Sequence, residues 1–392
     1  MSIPELRLKP REERRLRAGH LWIYSNEVDI AKTPLTALAP GALCRIVDAR
    51  GKAMGLGYAN PRTLLCARLL TGNATATIDV GWFLTRLKSA LALRERLYDQ
   101  PYYRLVYGET DGLPGLVVDR YGEVLVAQFG TAGMEALKAT VLEALDVLLK
   151  PKGIYLNNEA PVRELEGLQA YTEEIGAVPD SVGIEEAGVR FDVPIKTGQK
   201  TGWFFDQRSN RDALSRYVAG KAVLDVYSYI GAWSLRALKA GAASAAALDS
   251  SATALEAAAH NATLNGMTLE TIKGQALDTM REMEPKQRRF DVVIVDPPAL
   301  IKRKKDVEAG MSHYGAVNRA AIELLRTDGI LVSCSCSHHL EAEALQRILL
   351  RESRAAGRRL QILEQGGQGP DHPVHPAIPE TRYLKAFFCR VV

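Results

Sequence analysis

From Leu6 to about Leu70 the apolar residues come in short alternating runs, Leu21-Trp-Ile-Tyr24, Ala42-Leu-Cys-Arg-Ile-Val-Asp48 and Leu64-Leu-Cys-Ala-Arg-Leu-Leu70, broken by Pro40-Gly41, Gly51, Gly55 and Asn60-Pro61. A period of two punctuated by turn formers is the pattern of half-buried strands, so residues 1–72 read as a small β-rich module. Val80 to Leu97 has helical spacing, Tyr107 to Gly122 alternates turn residues with Val and Leu in the manner of hairpins, Gly133 to Leu149 predicts a helix and Ile154 to Leu156 a strand. Residues 73–180 therefore read as a central α+β domain. Beyond that the rhythm changes. Ala222-Val-Leu-Asp-Val226 precedes a predicted helix over Ala232–Ala240, Ala245–Asp249 precedes one over Ala252–Asn265, and the apolar runs Val292–Asp296 and Ile330–Cys334 follow in the same manner. Such alternation predicts an α/β fold for residues 181–392, a doubly wound, Rossmann-like parallel sheet. Gly366-Gly-Gln-Gly-Pro-Asp371 reads as a flexible loop.

Composition narrows the picture modestly. A chain of 392 residues with 47% hydrophobic and 24% charged content is not disordered on a large scale. A net charge of +4 permits a nucleic-acid partner without requiring one. Local clusters say more: Lys9 to Arg17, Lys286 to Arg289 and Lys302 to Lys305, each of which would otherwise be a solvated face. The N-terminus lacks a basic start followed by an apolar stretch, and no run approaches the roughly 18 apolar residues of a membrane span, so a cytoplasmic protein with no membrane partner is expected. Five cysteines give no disulfide framework, and Cys44, Cys66 and Cys389 sit singly in apolar segments as core residues. Cys334 and Cys336 have CxC spacing with His338 and His339 behind them, but no second cluster completes four ligands, so no metal is expected. The two histidines are expected to open the next helix.

Chemistry concentrates at strand ends. In an open α/β sheet the carboxyl ends of the strands border the ligand crevice. Asp225 ends the first run and Tyr227-Ser228-Tyr229-Ile230-Gly231 turns into a helix, with Gly231 allowing close backbone approach to a ligand. Asp249, followed by Ser250, ends the second run, where a carboxylate accepts hydrogen bonds from both hydroxyls of a ribose. Helix capping is the structural alternative for both carboxylates. A dinucleotide enzyme would carry GxGxxG to cradle a pyrophosphate, and that motif is missing; S-adenosylmethionine has no phosphates and is unaffected. The run Val292–Val295 ends in Asp296-Pro297-Pro298, and Ile330–Cys334 runs on into Cys336, so a carboxylate and a thiol meet at one pocket.

Lys196-Thr-Gly-Gln-Lys-Thr-Gly-Trp-Phe-Phe-Asp-Gln-Arg208, Leu224-Asp-Val-Tyr-Ser-Tyr-Ile-Gly231, Asp296-Pro-Pro298 and Ser333-Cys-Ser-Cys-Ser337 follow in order, with Asp371-His-Pro-Val and Tyr383-Leu-Lys-Ala-Phe-Phe-Cys-Arg390 at the end. With these motifs the chain resembles, over nearly its whole length, the bacterial 23S rRNA large subunit methyltransferase I family. The resemblance implies an N-terminal PUA-like RNA-binding domain, a central α+β insert and a class I S-adenosylmethionine-dependent domain that methylates carbon 5 of cytosine. It implies that Phe205, Gln207 and Arg208 lie over the cofactor, that Tyr227, Ser228, Tyr229 and Gly231 run along its amino-acid and adenosyl portions, and that Asp249 holds the ribose. Asp296 would border both cofactor and target base, and Cys336 would be the nucleophile. Where many relatives have an acidic residue to read the adenine amino group, this chain has Lys273-Gly-Gln275, and the Gln275 amide oxygen still accepts that bond.

Carbon 5 of cytosine is a poor nucleophile, and thiolate attack at C6 turns the ring into an enamine-like species that takes a methyl group. The base that removes the C5 proton stays open among water, Asp296 and a nearby histidine. Lys9, Arg11, Arg14, Arg15 and Trp22 are expected to clamp RNA, and Lys302, Arg303 and Lys305 to reach phosphates from a mobile loop beside the pocket. The implied partner is 23S rRNA or a large-subunit assembly intermediate, and homodimerisation stays open. Competing readings are methylation of a base nitrogen, to which Asp-Pro-Pro is also suited, an RNA-binding assembly factor with a vestigial catalytic domain, and, more distantly, a dehydrogenase.

Overall fold

Five short strands build the N-terminal module in the computed structural model, which describes residues 3–392. Their spatial order is Glu5–Arg7, Leu43–Val47, Ala53–Ala59, Ala67–Thr71, Trp22–Ile23, the first pair parallel and the others antiparallel. The alternation seen in the sequence is the alternation of burial: Cys44 and Ile46 point into a core with Leu6, Leu8, Ile23, Val28 and Cys66, while Leu43 and Arg45 are half-exposed. Burial pushes the Cys44 and Cys66 thiols up to about 12, as expected of inert core cysteines.

The central sheet has the order Tyr171–Gly176, Gly153–Asn158, Val124–Phe129, Leu116–Tyr121, Tyr102–Tyr107. The helix Val80–Leu97 starts where Asp79 accepts a bond from Trp82 N at 2.9 Å, and it buries Phe83, Leu87 and Ala90 on one face. The helix expected over 133–149 is instead two, Ala132–Ala136 and Lys138–Leu149, joined at Leu137. Gly133 explains the break: a Cβ there would lie 2.0 Å from the Tyr58 ring, so the short helix is clamped against the N-terminal module and the longer one sets off anew.

The chain divides into two compact units. The first runs to Val182 and takes in Pro194–Trp203 and Pro370–Thr381, two stretches assigned to the last domain from the sequence. Fully buried Arg94 shows why the second of these belongs there, since its guanidinium binds Asp111 at 2.5 and 2.8 Å and also the carbonyl of Asp371 at 2.8 Å.

The second unit is built on a seven-stranded sheet. Its strands are β1 Ala222–Val226, β2 Ser244–Asp249, β3 Glu270–Lys273, β4 Phe290–Val295, β5 Leu325–Ser335, β6 Leu360–Gly366 and β7 Lys385–Val391, in the order β3-β2-β1-β4-β5-β7-β6. The first five are parallel, and β7 runs antiparallel between β5 and β6. Parallel strands covered on both faces read as continuous apolar runs, which is why β1, β2 and β4 stood out in the sequence. A hairpin, Ser181–Glu186 and Val189–Pro194, was not anticipated; it turns at Ala187 and Gly188, both at positive φ (48° and 73°). Two further expectations are corrected. His338 and His339 lie in an exposed turn, and the next helix begins only at Ala342 after the Glu341 cap. Residues 366–369 are held rather than loose: Gly367 O accepts from Asn210, Gly369 N donates to Asp206 O, and the Gln368 side chain accepts from Tyr383 N.

Candidate active site

Where β1 and β2 part, the turn Tyr227–Gly231 is wound by three left-handed residues, Tyr227 (φ 66°), Tyr229 (φ 49°) and Gly231 (φ 82°). Tyr227 N and Ser228 N both donate to Leu248 O, and Tyr229 N donates to Asp249 Oδ2 at 3.0 Å, so the turn is fastened to the end of β2. Asp249 accepts Ser251 N on its other oxygen at 2.9 Å. Each carboxylate oxygen thus carries one backbone bond and keeps a lone pair for a hydroxyl. Gly231 is buried, and a Cβ there would stand 3.1 Å from the Cβ of Ala258, so its smallness serves the packing of the helix Ala252–Leu264.

Asp225 does not open onto this turn. It lies within β1, one residue short of the strand end, is fully buried, and accepts Ser234 N and Oγ at 3.1 and 2.8 Å, holding the start of the helix Ala232–Lys239. Burial raises its carboxyl to about 7; the Ser234 bonds oppose that rise and Asp296 and Asp249 add to it. Phe205 and Gln207 are likewise buried, because the turn Phe205–Gln207 is a tight 3-10 coil that swings both side chains inward. The half-exposed ring facing the cofactor turn is Phe204, edge-on to Tyr229 at 5.6 Å. Arg208 packs over the Phe205 ring and reaches Glu186 at 3.4 Å. Gln275 begins the helix Ala276–Met283 with its side chain exposed, next to Gly274, whose N–H binds Asp249 O at 3.0 Å; Ser250 is exposed beside Asp249.

Asp296 follows β4, half-buried and aimed by two donors. Gln207 Nε2 lies 2.9 Å from both carboxylate oxygens and Trp233 Nε1 lies 3.0 Å from Oδ2. Gln207 has its own orientation set, since its Oε1 accepts from Asn210 at 2.6 Å and only its amide N can face Asp296. Cys336, just past β5, is half-buried with Sγ 3.9 Å from the carbonyl of Pro297. Cys334 is fully buried, and burial together with Asp296 pushes its thiol well above the ordinary range, against a bond from Gln207. Of the two thiols, Cys336 is the accessible one. Ser335 and Ser337 flank it, both bonded to the hydroxyl of buried Tyr314 at 2.9 and 3.0 Å. Trp233, Asn210, Tyr314 and Phe204 were not foreseen; Phe204 lies within the motif Lys196–Arg208, Asn210 just after it and Trp233 just after the glycine turn, while Tyr314 is far from any recognised motif.

The residues fit an S-adenosyl cofactor. Asp249 retains lone pairs for a ribose, and the Ser228 hydroxyl is buried in the turn without a hydrogen-bond partner, an orphan that a polar ligand group would satisfy. Among the described residues no group of three or more His, Cys, Asp or Glu is arranged for a metal ion, and no helix is long and apolar enough to cross a membrane.

The basic residues divide by engagement. Arg15 is bound to Glu27 at 2.6 Å and to His20, the Trp22 indole N–H donates to Glu109 at 2.9 Å, and Arg303 pairs with Asp306 at 3.0 Å in the 3-10 turn region that stands where a mobile loop was expected. Arg11, Arg14, Lys302 and Lys305 are exposed, as is Lys9, whose ammonium donates to Asn26 O at 2.8 Å.

Residues 6–72 match the family of PUA-like domains, and residues 171–390 match the family described as S-adenosylmethionine-dependent methyltransferase. The chain is 36% identical to the ribosomal RNA large subunit methyltransferase I of Cronobacter sakazakii and 35% identical to that of Escherichia coli, in each case with 100% of both chains covered. Among solved structures, SMU.776, described as a methyltransferase and solved with SAH, matches with a TM-score of 0.85 at 18% identity, covering 99% of this chain and 100% of the other. A chain from Streptococcus mutans matches with a TM-score of 0.83 at 17% identity and the same coverage. At those identities the structural likeness speaks for the fold.

Proposed function

Because the chain belongs to the ribosomal RNA large subunit methyltransferase I family and is an S-adenosylmethionine-dependent methyltransferase, we propose that it forms 5-methylcytosine in 23S rRNA in the cytoplasm, with Cys336 as nucleophile. The observation that carries this reading is the half-exposed Cys336 thiol 3.9 Å from Pro297 O, on the loop that Asp296 begins. Nitrogen carries its own lone pair, so methylation of a base nitrogen would leave this thiol without a task.

Asp249 would bind the ribose hydroxyls, Tyr229 and Phe204 would border the adenosyl group, and Gln275 would accept from the adenine amine. The bound cofactor supplies an electrophilic methyl group. Cys336 as thiolate would add to C6 of the cytosine, and the electron pair released toward C5 would take that methyl, the S–CH3 bond breaking and its electron pair staying on sulfur as S-adenosylhomocysteine. Asp296, held by Gln207 and Trp233, accepts from the exocyclic amine and fixes the ring as charge develops at N3. Loss of the C5 proton then re-forms the double bond and expels Cys336. A cytosine in folded RNA must leave its stack first, at a cost of a few kcal/mol that the RNA contacts offset. Lys9, Arg11, Arg14, Lys302 and Lys305 are the exposed cations for that purpose.

Nucleoside mass spectrometry tests the reading. Ribosomal RNA from cells lacking the protein should lack a 5-methylcytidine that the wild-type gene restores and Cys336→Ala does not. Restoration by Cys336→Ala, or an N-methylated nucleoside in its place, contradicts it.

A further inference from the structure

Lys385 is the first residue of β7, ahead of the apolar run Ala386–Cys389, and is only 8% exposed. Its ammonium donates to Ser337 O at 2.6 Å and to Tyr383 O at 2.7 Å, and among the described residues it makes no ion pair with a carboxylate. A buried lysine satisfied by neutral carbonyls alone is costly to keep charged, so the fold retains it against its preference. Its position is specific. Ser337 follows Cys336 directly, and Ser335, which precedes Cys336, sits opposite Lys385 in the β5–β7 register. The cation is therefore tied to the backbone on one side of the thiol and packed across from the other. Burial draws the ammonium down to about 8, while Cys336 and Glu341 act in the opposite direction, which places the thiol within electrostatic reach of the lysine.

Other titratable groups stand near Cys336. Tyr314, from the helix Val307–Leu324, bonds both neighbouring serines. Cys334 lies fully buried beneath on the same strand, Asp296 begins the loop whose Pro297 carbonyl faces the thiol, and exposed His338 leans on the Tyr383 ring at 5.8 Å. Of these groups Lys385 is the one whose ammonium is tied to the backbone beside the thiol, and it is charged at neutral pH.

We propose that Lys385 is a positioning residue that holds the Cys336 turn and stabilises the Cys336 thiolate through its charge, the thiol proton leaving to solvent while the lysine remains an ammonium. The proposal deepens the function proposed above and rests on it for its purpose, but its test does not need methyl transfer.

The thiolate is the form that alkylates, so the rate of iodoacetamide modification against pH titrates the thiol directly. The full-length protein is followed by peptide mass spectrometry at Cys336, the remaining cysteines being buried. Lys385→Met should raise the midpoint by about one pH unit or more, which slows alkylation at pH 7 about tenfold. Lys385→Arg keeps the charge and should stay near the wild-type midpoint. S-adenosylmethionine affinity, measured alongside, reports that each variant is folded. An unchanged midpoint in Lys385→Met overturns the proposal, and so does a folded Lys385→Arg whose midpoint has risen as far as methionine would take it. A Cys336→Ala protein that still forms 5-methylcytidine removes the nucleophile and leaves the titration standing; a flat titration removes the lysine and leaves the nucleophile.

Discussion

Asp249 carries one backbone N–H on each carboxylate oxygen, from Ser251 and Tyr229, and so arrives at the crevice already oriented for two hydroxyls. Charge-assisted bonds of this kind contribute about 1.5–3 kcal/mol each. Asp249→Ala should weaken S-adenosylmethionine binding at least tenfold by calorimetry with the circular dichroism spectrum retained, and unchanged affinity would remove the ribose from this strand end. Asp249, Asp296 and Cys336 were legible in the sequence because each is a polar residue at or just past the end of an apolar run, where a parallel sheet delivers it to the crevice. Asp225, read by the same rule, falls one residue short of the strand end, and its side chain turns to Ser234. That the half-exposed ring beside Tyr229 is Phe204, with Phe205 buried, depends on the phase of a 3-10 turn, which no periodicity reveals. Lys385 and Tyr314 join the site through contacts across β5 that only the folded chain makes.

Among the elements, the unforeseen hairpin delivers the most heavily charged contact in the second unit. Glu186, at the end of its first strand, is 4% exposed and accepts from Arg211 on both oxygens and from Arg236, with Arg208 at 3.4 Å. Burial alone would raise its carboxyl, but these arginines reverse that and pull it down to about 2. Glu186→Gln should cost about 3–5 kcal/mol in chemical denaturation, because it leaves Arg211 buried beside a neutral partner. The folded value lies below the unfolded one, so the stabilisation is full above the ordinary carboxylate range and disappears as pH falls through about 2. The difference between wild type and variant should therefore hold near neutrality and close in strong acid; a difference independent of pH down to that range would assign the loss to packing. Strands β1, β2 and β4 and the helices Ala232–Lys239 and Ala252–Leu264 were readable because their periodicity is local; the helix Ala276–Met283 was not anticipated. The division at Leu137 and the turn at His338 were not, the first because it answers to the distant Tyr58.

For the whole molecule, the exposed cations of the N-terminal module are the natural test of RNA binding. Excising residues 1–72 would be a poor one, because buried Glu166 would lose both Asn60 and Arg68. Replacing exposed Lys9, Arg11 and Arg14 by alanine should instead leave cofactor affinity intact and lower the slope of log affinity against log salt by roughly one unit for each phosphate no longer neutralised. An unchanged slope would place the RNA surface elsewhere. How the chain distributes Pro194–Trp203 and Pro370–Thr381 between its two units was invisible in the sequence, since it rests on single long-range anchors such as Arg94 to Asp371. The central claim, a covalent bond between Cys336 and the target base, is tested most directly with RNA carrying 5-fluorocytidine at the modified position. With S-adenosylmethionine present, fluorine cannot leave as the proton does, so the wild-type protein and Cys334→Ala should become bonded to the RNA and Cys336→Ala should not, while all three bind the cofactor. An adduct that survives in Cys336→Ala, or none in the wild type, would contradict the account.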